Sequence, residues 1–472
     1  MTPPLASSTN PIGVIGHDFR EIPVHAHDSA GHDVSGANTS GLAHYEAATH
    51  EFRCFIGDPV ATVDAALAAA PQMTMAHALK AYLFLLGTEP AGLSVARACH
   101  AEAARLARTE RERGHVQAIA ALIDGRWRDA GRALEDVSID YPLDALALHA
   151  GHQIDFFRGD SRMLRDRIAR ALPAWSASIP GYHALLGMHA FGLEETGDSA
   201  RAIAQGEAAI AHERRDTWAW HAVAHAYEML NQPRAGLAWM HSDVDAWAQD
   251  SFFAVHNWWH TAVYQLELGD TGAALALFDG PVAGERSEVV LCLIDASALL
   301  WRLMLAGVDV GDRFSALADR WAPLAGAGTY AFNDLHAMIA FVGAGRTQSQ
   351  QEVLRTQQAV LSGELAGAAD NLEFTREVGH PATRAIQAFG QRRYAECVDL
   401  LRPIRHAAHR FGGSHAQRDL LDQTLIVAAH RAGLDALAAA LIHERVALRP
   451  LTPLAGLIER QPPRPTTLPH AA

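Results

Sequence analysis

Apolar positions along this chain recur with a helical period, and each helical run stops at a short turn centred on glycine. No alternating apolar and polar run is long enough to compete as a strand. The turns fall at Gly57, Gly87, Gly125, Gly159, Gly197, Gly269, Gly307, Gly345, Gly390 and Gly433. Their spacings are 30, 38, 34, 38, 72, 38, 38, 45 and 43 residues, and Asn231-Gln232-Pro233 splits the doubled interval. The unit is therefore about 34 to 38 residues long, the period of a two-helix repeat.

Each such pair must bury its apolar side against the next, so the pattern predicts an all-α, tetratricopeptide-like solenoid of helix-turn-helix repeats curved around a concave groove. Glu195-Thr196-Gly197-Asp198 and Glu267-Leu268-Gly269-Asp270 each close one helix ahead of a second, alanine-rich one. Residues 1–40, rich in Gly, Ser, Pro and His, read as a flexible N-terminal arm, residues 41–460 as the repeat domain, and residues 461–472 as a Pro-rich tail. His17, His25, His27 and His32 in the arm read as part of a polar segment rather than as a metal site.

Composition narrows the partners. Apolar residues make up 49% of the 472 and charged residues 19%, enough for a large core without cross-links. Cys54, Cys99, Cys292 and Cys397 are far apart and form no CxxC pair, which fits a reducing, cytoplasmic setting. The net charge of -14 repels a phosphate backbone, so nucleic acid is not an expected partner. No apolar run reaches the roughly 18 residues of a membrane span, and no secretory leader is legible. Nothing in the sequence fixes an oligomeric state, and a homo-oligomer is compatible with it.

Histidine changes the picture most. The 27 histidines outnumber the 16 phenylalanines, and many keep a fixed place before the closing turn. His77, His115 and His149 lie 10 residues before their glycines, His260 and His336 lie 9, His189 lies 8 and His152 lies 7. In a solenoid that place belongs to the first helix of each pair, which predicts a histidine-lined groove, although any one imidazole could simply pack between helices.

The densest text is Trp218-Ala-Trp-His221-Ala-Val-Ala-His225-Ala-Tyr-Glu228. At about 100° per residue, His221, His225 and Glu228 share one stripe. Two imidazoles at i, i+4 suit a divalent ion, with Glu228 as third ligand or general base, although the order is not HExxH. One repeat later, His256-Asn257-Trp258-Trp259-His260 offers a second such pair. Facing helices would present His221, His225, His256, His260 and Glu228 to one ligand, most simply a single divalent metal ion, with Asn257 beside them and Trp258 or Trp259 stacking on it. A metal-free polar site and a structural network are the competing readings.

Further along, Phe332-Asn333-Asp334-Leu335-His336 sets a carboxylate two residues before a histidine, and Asp295 sits inside an apolar run where orienting an imidazole would explain it. In Gly412-Gly413-Ser414-His415-Ala416-Gln417-Arg418-Asp419, a helix start offers Gln417 and Arg418 to an anion, with a salt bridge from Arg418 to Asp419 or Asp422 as the alternative. Ser414 lacks the GxSxG context of a nucleophile.

These strings carry a resemblance. His221-Ala-Val-Ala-His225 through Glu228-Met229, His256-Asn257 with Trp259-His260, Phe332-Asn333-Asp334 with His336, and Gly412-Gly413-Ser414 with Ala416-Gln417-Arg418-Asp419 resemble the tetratricopeptide repeat protein 38 family, from about His44 to Pro450. The resemblance implies a tetratricopeptide-like fold and no particular reaction. Gln153, where relatives often carry Asp, and His415, where Asn can stand, depart from the pattern.

Two functions follow as expectations. In one, the groove binds a small molecule as a hydrolytic, metal-assisted active site, with His225, His260, His336, Asp334 and Glu228 as acid-base groups and Trp258, Trp259, Asn257, Asn333, Gln417 and Arg418 holding the ligand. In the other, the chain is a non-catalytic scaffold for peptides or proteins. Such grooves favour Lys, Arg and Asn, and Lys80 is the sole lysine, which tips the balance toward a small-molecule site.

Overall fold

The computed structural model describes residues 26–284, 287–365 and 369–456, and these are almost entirely helical. Among the described residues, strand is confined to a two-residue pair, Ala26–His27 against Asp33–Val34, and one isolated bridge between Ile56 and Ser251. No helix among them is long and apolar enough to cross a membrane.

Consecutive helices pack as pairs, such as Thr39–Cys54 on Pro59–Ala69, Tyr182–Glu195 on Ser199–His212, and Thr217–Met229 on Pro233–Ser242. The turns explain the pairing. Eight of the ten turn glycines take left-handed φ, while Thr88 and Arg392 take it beside Gly87 and Gly390, and Asn231 takes it in the split interval. An aspartate then often caps the next helix: Asp58 accepts from the Ala61 amide at 3.0 Å and Asp270 from the Ala273 amide at 2.9 Å.

The two helices of a pair differ in burial. Tyr182–Glu195 is buried at every position from His183 onward, and Thr217–Met229, Val290–Leu305 and Ala331–Gly343 are buried nearly throughout. Their partners bury one stripe only. First helices therefore form the interior, second helices the outside.

Distant segments close over that interior. Tyr330 donates to the Phe157 carbonyl at 2.9 Å, Asn333 to Thr88 Oγ1 at 3.1 Å, and Arg445 to Glu267 at 3.1 Å. Segments 173 to 245 residues apart are thus tied together across the interior.

The described part of the N-terminal arm, residues 26–40, contacts the body: Ser35 gives its amide (2.8 Å) and hydroxyl (2.9 Å) to Glu112, and Arg111 reaches the Asp33 carbonyl at 3.2 Å. His27 and His32 pair with Asp33 and Asp28. His17, His25 and the tail from residue 461 lie outside the described residues.

Candidate metal centre

The helices Thr217–Met229 and Ala254–Glu267 are first helices of neighbouring units and face each other in the interior. Their HxxxH stripes meet. One nitrogen from each of His221, His225, His256 and His260 lies within 4.8 Å of the others. Ring centroids are 4.4 Å apart for His221–His225 and His225–His260, and 4.8 Å for His221–His256. The Nε2 atoms of His221 and His256 approach to 3.1 Å. Bonds of about 2.1 Å to a shared first-row ion set neighbouring nitrogens roughly 3.0 to 3.4 Å apart, so this pair already has a ligand-to-ligand spacing.

Two of the four imidazoles have a carboxylate within bonding reach of Nδ1, and a third faces a glutamate just beyond it. His256 Nδ1 lies 2.9 Å from both Asp295 oxygens, His260 Nδ1 lies 3.3 Å from Glu228 Oε2, and His225 Nδ1 lies 3.6 Å from Glu194 Oε2. An acceptor at Nδ1 fixes the tautomer that leaves the Nε2 lone pair free, the arrangement in which imidazoles bind metals. Burial pushes the His221, His225 and His260 imidazoles well below their ordinary pKa, and the neighbouring histidines push the same way. They are neutral at pH 7 and able to donate lone pairs.

Both nitrogens of His225, Nε2 of His260 and Nδ1 of His221 have no hydrogen-bond partner among the described residues. Four buried polar atoms without partners in one small volume are costly unless something else binds them. The side chain of His256 is 13% exposed while those of His225 and His260 are at 0%, so solvent reaches the cluster from the His256 side, past Phe253.

Around the cluster the sequence expectations divide. Trp259 belongs to it, stacked on His256 at 5.4 Å and edge-on to His260 at 4.8 Å, with the Arg302 guanidinium over its other side. Trp258 does not: it turns outward onto Trp247 at 4.7 Å, because neighbouring helical positions point about 100° apart. Asn257 is fully buried, with its amide toward the Thr217 carbonyl at 3.4 Å. Both Glu228 oxygens are engaged, one facing His260 and the other facing Arg449 at 3.3 Å.

His336 stays out of the cluster, two units further along. Its Nδ1 donates to the Phe332 carbonyl at 2.8 Å, and burial takes its pKa down to about 4. Asp334 does not orient it. The Asp334 carboxyl lies 3.3 Å from Gln357 on the opposite face, pushed up to about 7 by burial. Asn333 is taken up by Thr88.

Near the C-terminus, Ser414 and Gln417 form a reciprocal helix cap, which accounts for both residues without a chemical role. Arg418 bonds the Gly413 carbonyl and faces Glu195 at 3.5 Å, while Asp419 and Asp422 pair with Arg445 and Arg405. Arg405, Arg418 and Arg449 line a cavity of about 390 Å³ together with His415.

Sequence reasoning missed Glu194 and Arg449. Glu194 stands one residue before the Glu195-Thr196-Gly197-Asp198 turn, and its signal was an acidic pair closing a helix that carries no other charged residue besides its histidines. Burial and the adjoining Glu195 and Glu228 carboxylates raise its pKa well above the usual range. Arg449 lies 221 residues from Glu228, beyond any local pattern.

No known protein family matches the chain when it is compared with family profiles.

Proposed function

We propose that the chain is a metal-assisted hydrolase on a tetratricopeptide-like helical array, with one divalent ion held by His221, His225, His256 and His260. The observation that carries this reading is four converging imidazoles, two of them bonded to a carboxylate at Nδ1. The donor set fits an ion of the zinc, iron, copper or nickel class and not magnesium or calcium, which take oxygen ligands. When bound, such an ion supplies Lewis acidity in a site nearly closed to water.

The protein's own groups supply the rest. Glu194, its pKa raised by burial and by the adjoining Glu195 and Glu228, lies 3.6 Å from His225 Nδ1 and suits a group that gives a proton to a leaving group and takes one back. Asp295 and Glu228 hold His256 and His260 in one tautomer, and Arg449 holds Glu228. Substrate reaches the centre on the His256 side, and Trp259 forms a flat wall behind it.

The glycine-spaced unit and the division into inner and outer helices support a tetratricopeptide-like array, and the quoted strings support membership of the tetratricopeptide repeat protein 38 family. Four free, dispersed cysteines accord with a cytoplasmic location. A peptide scaffold is less well supported, because the faces that would grip a peptide are buried.

The experiment strips the full chain with chelator, reloads it with zinc, manganese or iron(II), and follows chromogenic ester, amide and phosphoester hydrolysis. Turnover should return with one ion and fall about 100-fold or more in kcat in Glu194→Gln, which still binds metal. Hydrolysis that survives both stripping and loss of the four histidines would overturn the reading, as would reloaded protein silent on every ester, amide and phosphoester.

A further inference from the structure

A second set of ligand groups lies where three segments meet, apart from the four-imidazole cluster. His50 and Cys54 stand one turn apart at the end of the Thr39–Cys54 helix, and His183 is in the first turn of Tyr182–Glu195. One ligand atom from each lies within 4.8 Å of the other two. Cys54 Sγ is 3.9 Å from the His50 ring nitrogens, and the His50 and His183 rings stand 6.0 Å apart and nearly perpendicular.

The surroundings repeat the logic of the first centre. Asp216 Oδ2 lies 2.8 Å from His183 Nδ1, which leaves Nε2 as the lone-pair atom. The other oxygen of Asp216 caps the helix that carries His221 and His225, accepting from the Ala219 amide at 2.9 Å. Thr217 donates to the Cys54 carbonyl at 2.6 Å, so the junction is fixed from both sides. Cys54 and His183 are buried while His50 is part-exposed, which leaves one side open.

Charge favours a cation there. Asp216 and Glu213 lie near Cys54, facing Arg53 and Arg215, and Arg215 is directed away to the Gln249 carbonyl at 2.8 Å and Asp250 at 3.7 Å. An ionised Cys54 thiol would leave the pocket with more negative than positive charge, a deficit a divalent ion offsets.

We infer that His50, Cys54 and His183 form a second metal site, for one borderline-soft divalent ion of the zinc and cobalt class. A thiolate with two imidazoles is a three-ligand set that leaves a fourth position open, and here that position faces solvent beside His50. On binding, the Cys54 thiol releases its proton to solvent through that opening and the sulfur forms the bond to the ion. Through Asp216, the loaded site steadies the start of the helix that carries His221 and His225, but it is complete without them.

Cobalt(II) separates the two centres, because only this one has a sulfur ligand. Metal-stripped full-length protein titrated with cobalt(II) should develop a near-ultraviolet thiolate-to-cobalt charge-transfer band as well as visible bands. Cys54→Ser should lose the near-ultraviolet band and keep the visible bands of the all-imidazole centre. The double variant His256→Gln/His260→Gln should keep the near-ultraviolet band and lose only the all-imidazole share of the visible absorption, so failure of the hydrolase reading and failure of this one give different spectra. His50→Gln, a change at a part-exposed position with little folding risk, should weaken the cobalt dependence of the charge-transfer band 100-fold or more. Absence of the band from the wild type, its persistence in Cys54→Ser, or an unchanged titration in His50→Gln would overturn the inference.

Discussion

Replacing His225 with leucine separates a ligand from a packing residue. The side chain is fully buried, and neither ring nitrogen has a hydrogen-bond partner among the described residues; the Glu194 oxygen at 3.6 Å is beyond bonding reach. Its surroundings are the rings of His221 and His260, both at 4.4 Å, and Phe191 at 5.2 Å, an environment that accepts an aliphatic side chain. An unbonded buried polar group costs ~1–3 kcal/mol, and imperfect repacking around leucine returns up to ~1 kcal/mol of that. Metal-stripped His225→Leu should therefore be more stable than stripped wild type by about 1–2 kcal/mol. For a chain of this length that is a rise of roughly 1–2 °C in Tm. Zinc at about 1,000 times Kd should stabilise the wild type by ~4 kcal/mol through this centre, and the variant should lose that increment and keep only the response of the His50, Cys54 and His183 group. Thermal melts followed by circular dichroism, with and without zinc, measure all four states. A stripped variant melting several degrees below stripped wild type, with both responding equally to zinc, would refute the reasoning and make His225 a packing residue.

Other consequences are as direct. Asp295→Asn keeps the shape and an acceptor for His256 Nδ1 but removes the charge, so zinc affinity measured by chelator competition should fall about 10- to 100-fold with little change in Tm; unchanged affinity would remove Asp295 from the centre. Acid should destabilise the metal-stripped protein early. Burial holds His149 down to about 3 and His336 to about 4, whereas both take up protons near pH 6.5 once unfolded. The unfolded chain binds more protons in that window, so stability is full above about pH 6.5 and falls as pH drops toward 4. Urea denaturation from pH 7.5 to 5 should show the decline, His149→Leu should reduce its slope, and a flat profile in the wild type would contradict it.

The two HxxxH stripes were legible because i, i+4 spacing fixes a helix face and a one-repeat separation makes the helices neighbours. That logic covers local order and nearest units only. Asp295 was legible as a carboxylate needing a partner, yet the partner is His256, 39 residues away. The same logic failed for Asp334 and His336, where two residues of separation turn side chains to opposite faces, and for Trp258, which shares a dipeptide with Trp259 and points elsewhere. Glu194 and Arg302 lie on first helices of adjoining units, Tyr182–Glu195 and Val290–Leu305, whereas Arg449 reaches the site only through closure by a distant segment, which no periodicity encodes. Residues 26–38 read as an arm by composition, but Ser35, Asp33 and Asp28 find buried partners in Glu112 and Arg111.

Metal content tests the four-imidazole centre most directly. Elemental analysis of untagged full-length protein, beside His256→Gln/His260→Gln prepared in the same way, should show the double variant with one equivalent of a zinc-class or iron-class metal fewer than the wild type. Equal metal content in the two proteins, or a wild type that stays metal-free after incubation with excess ion and gel filtration, would contradict it.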